Sequence, residues 1–303
     1  MTSIRTPFAI PAPLEPGDVV AVVAPSSPFP VEALWRGLAW LRMRYRVRID
    51  PGILQRDGYL AGNDARRRAE LDRAFADPEA KAIIAIRGGY GATRIACDLA
   101  WETFARRPRW IVGFSDVTAL HAMAWRAGVA SVHGPNVTGL GPQAPLVRAA
   151  WLAAVERPTA PRAWRGLRVL HAGASRRTRG PLVGGNLSIV HAMAAAGRLA
   201  IPAGAVLALE DVTEAPYRID RMLTSLLAGG HLARVAAIVC GGFDRCVPGP
   251  DGRTVEQVLE ERTSSLGIPV VSGAPFGHGP HNEAFVLGLA AELEDDVVTL
   301  ASS

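Results

Sequence analysis

The feature that most limits how this 303-residue chain can fold is a recurring unit: apolar run, small-residue turn, helix. Residues 18–24 give an apolar run after Asp18, ended by Pro25-Ser26-Ser27-Pro28 and followed by helical spacing over 31–43. Residues 81–86 repeat the pattern, then Arg87-Gly88-Gly89-Tyr90-Gly91 and a helix through Leu99. Residues 109–112 do so a third time, turning through Gly113-Phe114-Ser115-Asp116 into a helix over 117–125. Runs that are apolar on both faces suit strands covered on two sides, as in a parallel sheet. The rhythm therefore predicts an α/β fold whose N-terminal domain, residues 1–140, is a doubly wound parallel sheet. In such sheets ligands bind beyond the carboxyl ends of the strands, an edge that the three turns would share. Residues 46–50 read as a further short strand. Asn63-Asp64 caps a helix over 65–75 with its arginines on the outer side.

Beyond Gly139 the pattern changes. Residues 141–179 read as a linker with one helix over 146–156, and a C-terminal domain spans 180–303. It opens with Gly180-Pro181-Leu182-Val183-Gly184-Gly185-Asn186-Leu187 and a helix from Ser188. A strand over 205–209 ends at Glu210-Asp211, an amphipathic helix covers 217–227, and a second apolar strand covers 235–240. A helix over 255–264 and a short strand lead into a glycine- and proline-rich loop at 273–282. Residues 284–293 and 297–300 then read as a strand hairpin.

The formal charge of +5 comes almost wholly from scattered arginines, Lys81 being the only lysine. Without an interleaved aromatic groove this pattern argues against a nucleic-acid partner. Cys97, Cys240 and Cys246 are too irregularly spaced for a disulfide framework or a zinc site, and no cofactor motif is present. The N-terminal residues lack the apolar segment of a signal peptide, and no run is long enough to span a membrane. A cytoplasmic protein with no membrane partner is the expectation.

Ser115 falls on a strand-to-helix turn, the geometry that lifts a nucleophilic hydroxyl toward a helix N-terminus. An ordinary Ser-Asp helix cap has the same sequence. A serine nucleophile needs a base and a group that orients it. Among seven histidines, His278 stands in a glycine-rich loop after a strand, with His133 the second choice; a solvated loop histidine fits His278 as well. Glu210, closing an apolar strand, suits the orienting acid or an ion pair with Arg218 or Arg221. His278-x-x-His281 lacks a third ligand, so no metal is expected. The glycine turn at 88–91 has neither dinucleotide-binding nor P-loop spacing. Its N–H groups and that of Asp116 suit the two halves of an oxyanion hole.

In order along the chain, Arg87-Gly88-Gly89-Tyr90-Gly91, Gly113-Phe114-Ser115-Asp116, Gly184-Gly185-Asn186-Leu187, Leu209-Glu210-Asp211 with Tyr217–Leu223, and Phe276-Gly277-His278-Gly279 resemble the LD-carboxypeptidases, serine peptidase family S66. The resemblance runs from about Gly17 to the C-terminus. It implies a Ser-Glu-His triad of Ser115, Glu210 and His278 and a small β-rich swivelling second domain. It also implies a homodimer and no cofactor. Gly89 and Asp116 would form the oxyanion hole, and Arg87, Arg218 or Arg221 would take the substrate carboxylate. The reaction implied is hydrolysis of the amide bond between the L-centre of a diamino acid and a terminal D-alanine in murein tetrapeptides. Immunity-type members instead cleave acidic aminoacyl groups from nucleotide analogues, for which Phe243 and Phe285 are the base-stacking candidates. A non-catalytic muropeptide binder is the remaining alternative. The stretch after His278, Pro280-His281-Asn282-Glu283-Ala284-Phe285, departs from the family pattern in being bulkier and more polar, which bears on substrate preference.

Overall fold

A computed structural model describes residues 8–301. The elements run β1 (Val19–Val23), α1 (Val31–Arg42), β2 (Arg46–Ile49), α2 (Asp64–Ala76), β3 (Ala80–Ala85), α3 (Ala92–Ile95), α4 (Trp101–Arg106), β4 (Trp110–Gly113), α5 (Thr118–Arg126) and β5 (Ser131–His133). Next come α6 (Val137–Leu140), α7 (Pro145–Glu156), β6 (Arg162–Trp164), β7 (Arg168–His171), β8 (Arg177–Asn186), α8 (Leu187–Ala195), β9 (Val206–Val212) and α9 (Pro216–Ala228). The chain ends with β10 (Ala237–Asp244), α10 (Val255–Thr263), β11 (Val270–Ser272), β12 (Phe285–Leu287), β13 (Ala290–Glu294) and β14 (Val297–Leu300). They form two compact units: 8–158 with 283–286, and 159–282 with 287–301. Among the described residues no helix is long and apolar enough to cross a membrane.

The first unit is built on a six-stranded sheet of order β12-β5-β4-β3-β1-β2, parallel from β5 to β2. All five residues of β1 and all four of β4 are buried, as expected for strands covered by helices on both faces. Helix α1 turns Leu34, Gly37, Leu38 and Leu41 inward. Asn63 caps α2 by accepting from the Arg66 N–H. The arginines of α2 do not all face outward as the sequence suggests: Arg68 does, but Arg67 is wholly buried and Arg66 nearly so. Arg66 pairs with buried Glu70 at 2.8 Å, and Glu70 in turn accepts from the Ala24 N–H at the end of β1.

The second unit holds an eight-stranded sheet of order β6-β14-β13-β8-β9-β10-β11-β7. Its centre, β8 to β11, is parallel, and the flanking pairs are antiparallel. Helix α9 buries Ile219, Met222, Leu223 and Leu226, and α10 begins with a capping box between Thr254 and Gln257. The mixed α/β architecture, with a parallel first sheet and a strand-rich second one, is the fold class read from the sequence.

Two details differ from that reading. The stretch 141–179 contains, besides the expected helix α7, the edge strands β6 and β7 of the second sheet and the start of β8. The apolar run at 284–293 is not one strand. Phe285–Leu287 joins the first sheet, and only Ala290–Glu294 pairs with β14 as a hairpin.

Gly37 marks a close approach of α1 to α6. A Cβ there would overlap the Val137 carbonyl oxygen of α6. In an isolated helix alanine is favoured over glycine by about 1 kcal/mol, but here overpacking dominates. Gly37→Ala is expected to lower stability by about 1–3 kcal/mol, read as a lower denaturant midpoint. An unchanged or higher midpoint would contradict the close α1–α6 approach.

Candidate functional site

Ser115 sits at the carboxyl end of β4, where a single 3₁₀ turn, Ser115–Val117, leads into α5. It is one of few non-glycine residues with positive φ, at 65°. A side chain in the left-handed region costs free energy, and such strain gathers where a fold must aim a particular group. Strand β4 is anchored there from several sides. Buried His121 on α5 reaches the Gly113 carbonyl through Nε2 and the Ser131 hydroxyl through Nδ1, both at 2.9 Å. Burial pushes the His121 pKa down to about 4, so it works as a neutral strut. The Gly134 N–H also donates to Gly113, and the Phe114 N–H donates to Asn136.

The glycine turn lies against the serine. A Cβ on Gly88 would stand 2.7 Å from Ser115 Cβ and 2.9 Å from its Oγ, so only glycine admits this approach. Gly89 has φ of 106° and packs on Ser27. The Ser27 Oγ accepts from the Tyr90 N–H at 3.0 Å. The Asp116 carboxylate points away from solvent and accepts from the Ala92 N–H at 2.8 Å, tying the end of the glycine turn to the residue after Ser115. Burial raises the Asp116 pKa against the opposing pull of that bond and of Arg67.

In the second unit, β9 carries Glu210 in register with Asn186 of β8. Glu210 is wholly buried, and its Oε2 lies 2.7 Å from His278 Nδ1. Burial raises the Glu210 pKa, while the hydrogen bond and charge of His278, with Asn186, draw it back. Burial disfavours charge on His278, but the bond and charge of Glu210, joined by the charges of Asp211 and Asp244, outweigh it. The imidazole is left more basic than usual. The Glu210 bond fixes the imidazole through its Nδ1.

The remaining candidates are accounted for individually. Arg87 donates to the Pro28 carbonyl at 2.6 Å. Arg218 reaches Glu214 at 3.5 Å and the Tyr217 hydroxyl at 3.2 Å, and Arg221 lies over the Tyr217 ring. Neither Arg218 nor Arg221 has an ion pair with Glu210 among the described residues. His133 is buried and stacked on Phe285, ring centroids 4.8 Å apart. Phe285 is itself buried in the first sheet, which removes it as a base-stacking candidate in the second domain.

Sequence reasoning missed the supports. Asp211 accepts from Asn186 Nδ2 at 3.0 Å and from both the N–H and hydroxyl of Ser188. It thus fixes the start of α8 beside Glu210. Asn282 accepts from the Gly277 N–H, pinning the loop that carries His278. Asp244 packs so closely on Gly279 that a Cβ there would meet its Oδ1 at 2.7 Å. An acid two residues past a glycine pair carried no signal that would have singled it out.

The chain is similar to known proteins along most of its length. Residues 20–134 match the LD-carboxypeptidase N-terminal domain model and residues 179–293 the LD-carboxypeptidase C-terminal domain model. The murein tetrapeptide carboxypeptidase of Pseudomonas aeruginosa is 35% identical over 285 residues, 91% of this chain and 92% of that protein. The crystal structure of a muramoyltetrapeptide carboxypeptidase from Oxalobacter formigenes superposes with a TM-score of 0.81 at 28% identity, covering 93% of this chain and 97% of that one. MccF in complex with glutamyl sulfamoyl guanosine shares the fold, with a TM-score of 0.86 at 19% identity over 97% of this chain and 98% of that one.

The backbone at Ser115 yields a stability test. Ser115→Gly removes the left-handed strain, whereas Ser115→Ala keeps it. The glycine variant is expected to be more stable than the alanine variant by about 1 kcal/mol, measured by thermal or denaturant unfolding. Equal midpoints would mean that the turn is not strained.

Proposed function

The chain belongs to the LD-carboxypeptidase family of peptidases, and from that premise we propose that it is a serine carboxypeptidase acting on murein tetrapeptides. The observation that carries the reading is the buried Glu210 carboxylate on His278 Nδ1 at 2.7 Å, the orienting half of a serine–base–acid triad. The left-handed Ser115 at a strand end supports it as the nucleophile. The naming of a 35%-identical relative as a murein tetrapeptide carboxypeptidase supports the substrate class.

In this reading His278 Nε2 removes the Ser115 hydroxyl proton while Glu210 stabilises the imidazolium. Ser115 Oγ attacks the carbonyl that precedes the terminal D-alanine. The resulting oxyanion is taken by the Asp116 N–H and by the Gly89 N–H, which makes no hydrogen bond to any described residue. Collapse passes the proton from His278 to the leaving amine and frees D-alanine. Water, deprotonated by the same imidazole, then cleaves the acyl-enzyme. Of the three arginines, Arg221 is the one with neither an ion pair nor a hydrogen bond among the described residues, which favours it for the substrate carboxylate.

Incubation with L-Ala-D-Glu-diaminopimelate-D-Ala is expected to release D-alanine, detected by mass spectrometry. Ser115→Ala and His278→Ala should each lower kcat by about 10³-fold or more. Folded protein that leaves the tetrapeptide intact but cleaves a glutamyl sulfamoyl nucleoside would move the reading to the immunity type. Folded protein that cleaves neither would leave a muropeptide binder.

The pH profile supplies a separate check. His278 must be neutral to accept the proton, and its pKa is raised, so kcat/KM should climb through an acid limb above the ordinary histidine value of about 6.5. Glu210→Gln removes the negative charge that raises it. The variant should be slower, with its acid limb moved to lower pH. A limb that stays in place would show that Glu210 does not set the basicity of the base.

A further inference from the structure

Helix α2 carries a cation where solvent is absent. Arg67 is 0% exposed. Its Nη1 donates to the carbonyls of Pro25 at 2.5 Å and Gly91 at 2.7 Å, its Nε donates to Gly62 at 3.2 Å, and its Nη2 pairs with Asp64. Three acceptors are thus backbone carbonyls of three separate loops: the one after β1, the one before α2, and the glycine turn after β3. Burying a guanidinium is costly, and an apolar side chain would fill the same space with less penalty. An apolar side chain could not hold three carbonyls, whereas the planar fork of arginine can.

The glycine turn is shaped around this group. Gly91 has φ of 126°, and a Cβ there would stand 2.7 Å from Arg67 Nη1. One residue on, the Ala92 N–H is held by the Asp116 carboxylate, and at the other end Gly88 touches Ser115. The turn is therefore clamped at its far end by Arg67 on one side and by the residue after Ser115 on the other.

We propose that Arg67 is a positioning residue, holding the Gly88–Gly91 turn where the Gly89 and Asp116 N–H groups converge on one oxyanion. It rests on the serine-peptidase reading above and adds to it a residue that never meets the substrate. Its effect should fall on the transition state: binding of the ground-state peptide does not use the oxyanion hole, but the tetrahedral intermediate does.

The test is Arg67→Lys, whose single ammonium keeps the charge but cannot stand in for Nη1, Nε and Nη2 together, so the Pro25 and Gly91 carbonyls, the Gly62 carbonyl and Asp64 are no longer all held at once. Three quantities are compared with wild type: the thermal midpoint, kcat and KM on the murein tetrapeptide, and the rate at which a small alkyl fluorophosphonate labels Ser115. Labelling needs the same hole but no peptide recognition. The expected result for folded variant is kcat lower by about 100-fold with KM changed by less than about threefold, and labelling slowed in parallel. Wild-type kcat and labelling in folded Arg67→Lys would overturn the proposal, as would a loss that tracks only the unfolded fraction. If Arg67→Lys yields no folded protein, Gly91→Ala, which pushes the turn off Nη1, is measured the same way and decided by the same outcomes. Wild-type protein that neither hydrolyses the peptide nor takes the label would overturn the parent reading and this one with it. That result is distinct from an active wild type beside an unaffected variant.

Discussion

A carboxylate with no solvent exposure is tolerated only where something replaces its water, and at Glu210 that something is the imidazole of His278. Much of the second unit can be understood from this one bond. The parallel core β8–β9–β10 brings Glu210 to a strand end flanked by neighbours on both sides. Asn186 and Asp211 then satisfy the groups around it, and Asn282 fixes the loop that delivers His278. Without the imidazole, Glu210 would be a buried charge lacking its partner; without the carboxylate, the imidazole would titrate lower and turn freely.

His121 and His278 show how completely surroundings decide chemistry. His121 meets a carbonyl and a hydroxyl, loses its proton affinity and becomes scaffolding for β4. His278 meets a carboxylate with two further acids in range, and gains proton affinity despite burial. Residue type says nothing of this difference. What separates them is that His121 lies on an apolar helix inside the first unit, whereas His278 follows a strand end rich in glycine, where acids from neighbouring strands gather.

The same distinction explains what could be read without coordinates. Strands β1, β3 and β4 were legible because a parallel sheet covers both faces, so their sequences are apolar throughout but for Lys81 near the start of β3. The edge strands β6 and β7 were not, because half-exposed edges carry arginine and histidine and look like linker. The Ser115 turn and Glu210 announced themselves by their positions at strand ends, and the ordered set of motifs joined them to His278. Arg67 stayed hidden, since an arginine on a polar helix reads as solvated until three loops are seen to close over it. The service of Asp211, holding α8, is a contact distant in sequence that no local pattern encodes.

The split of the apolar run at 284–293 has a consequence for biosynthesis. The first unit is continuous only to residue 158, and its outermost strand, β12, comes from near the other end of the chain. While the polypeptide emerges from the ribosome, β5 therefore stays an open edge until the entire stretch 159–282 has been made. The sheet that carries Ser115 is closed only after Glu210 and His278 have been made. A nascent chain halted before Glu283 would expose unpaired backbone beside the Ser115 strand, ready to pair with another such chain.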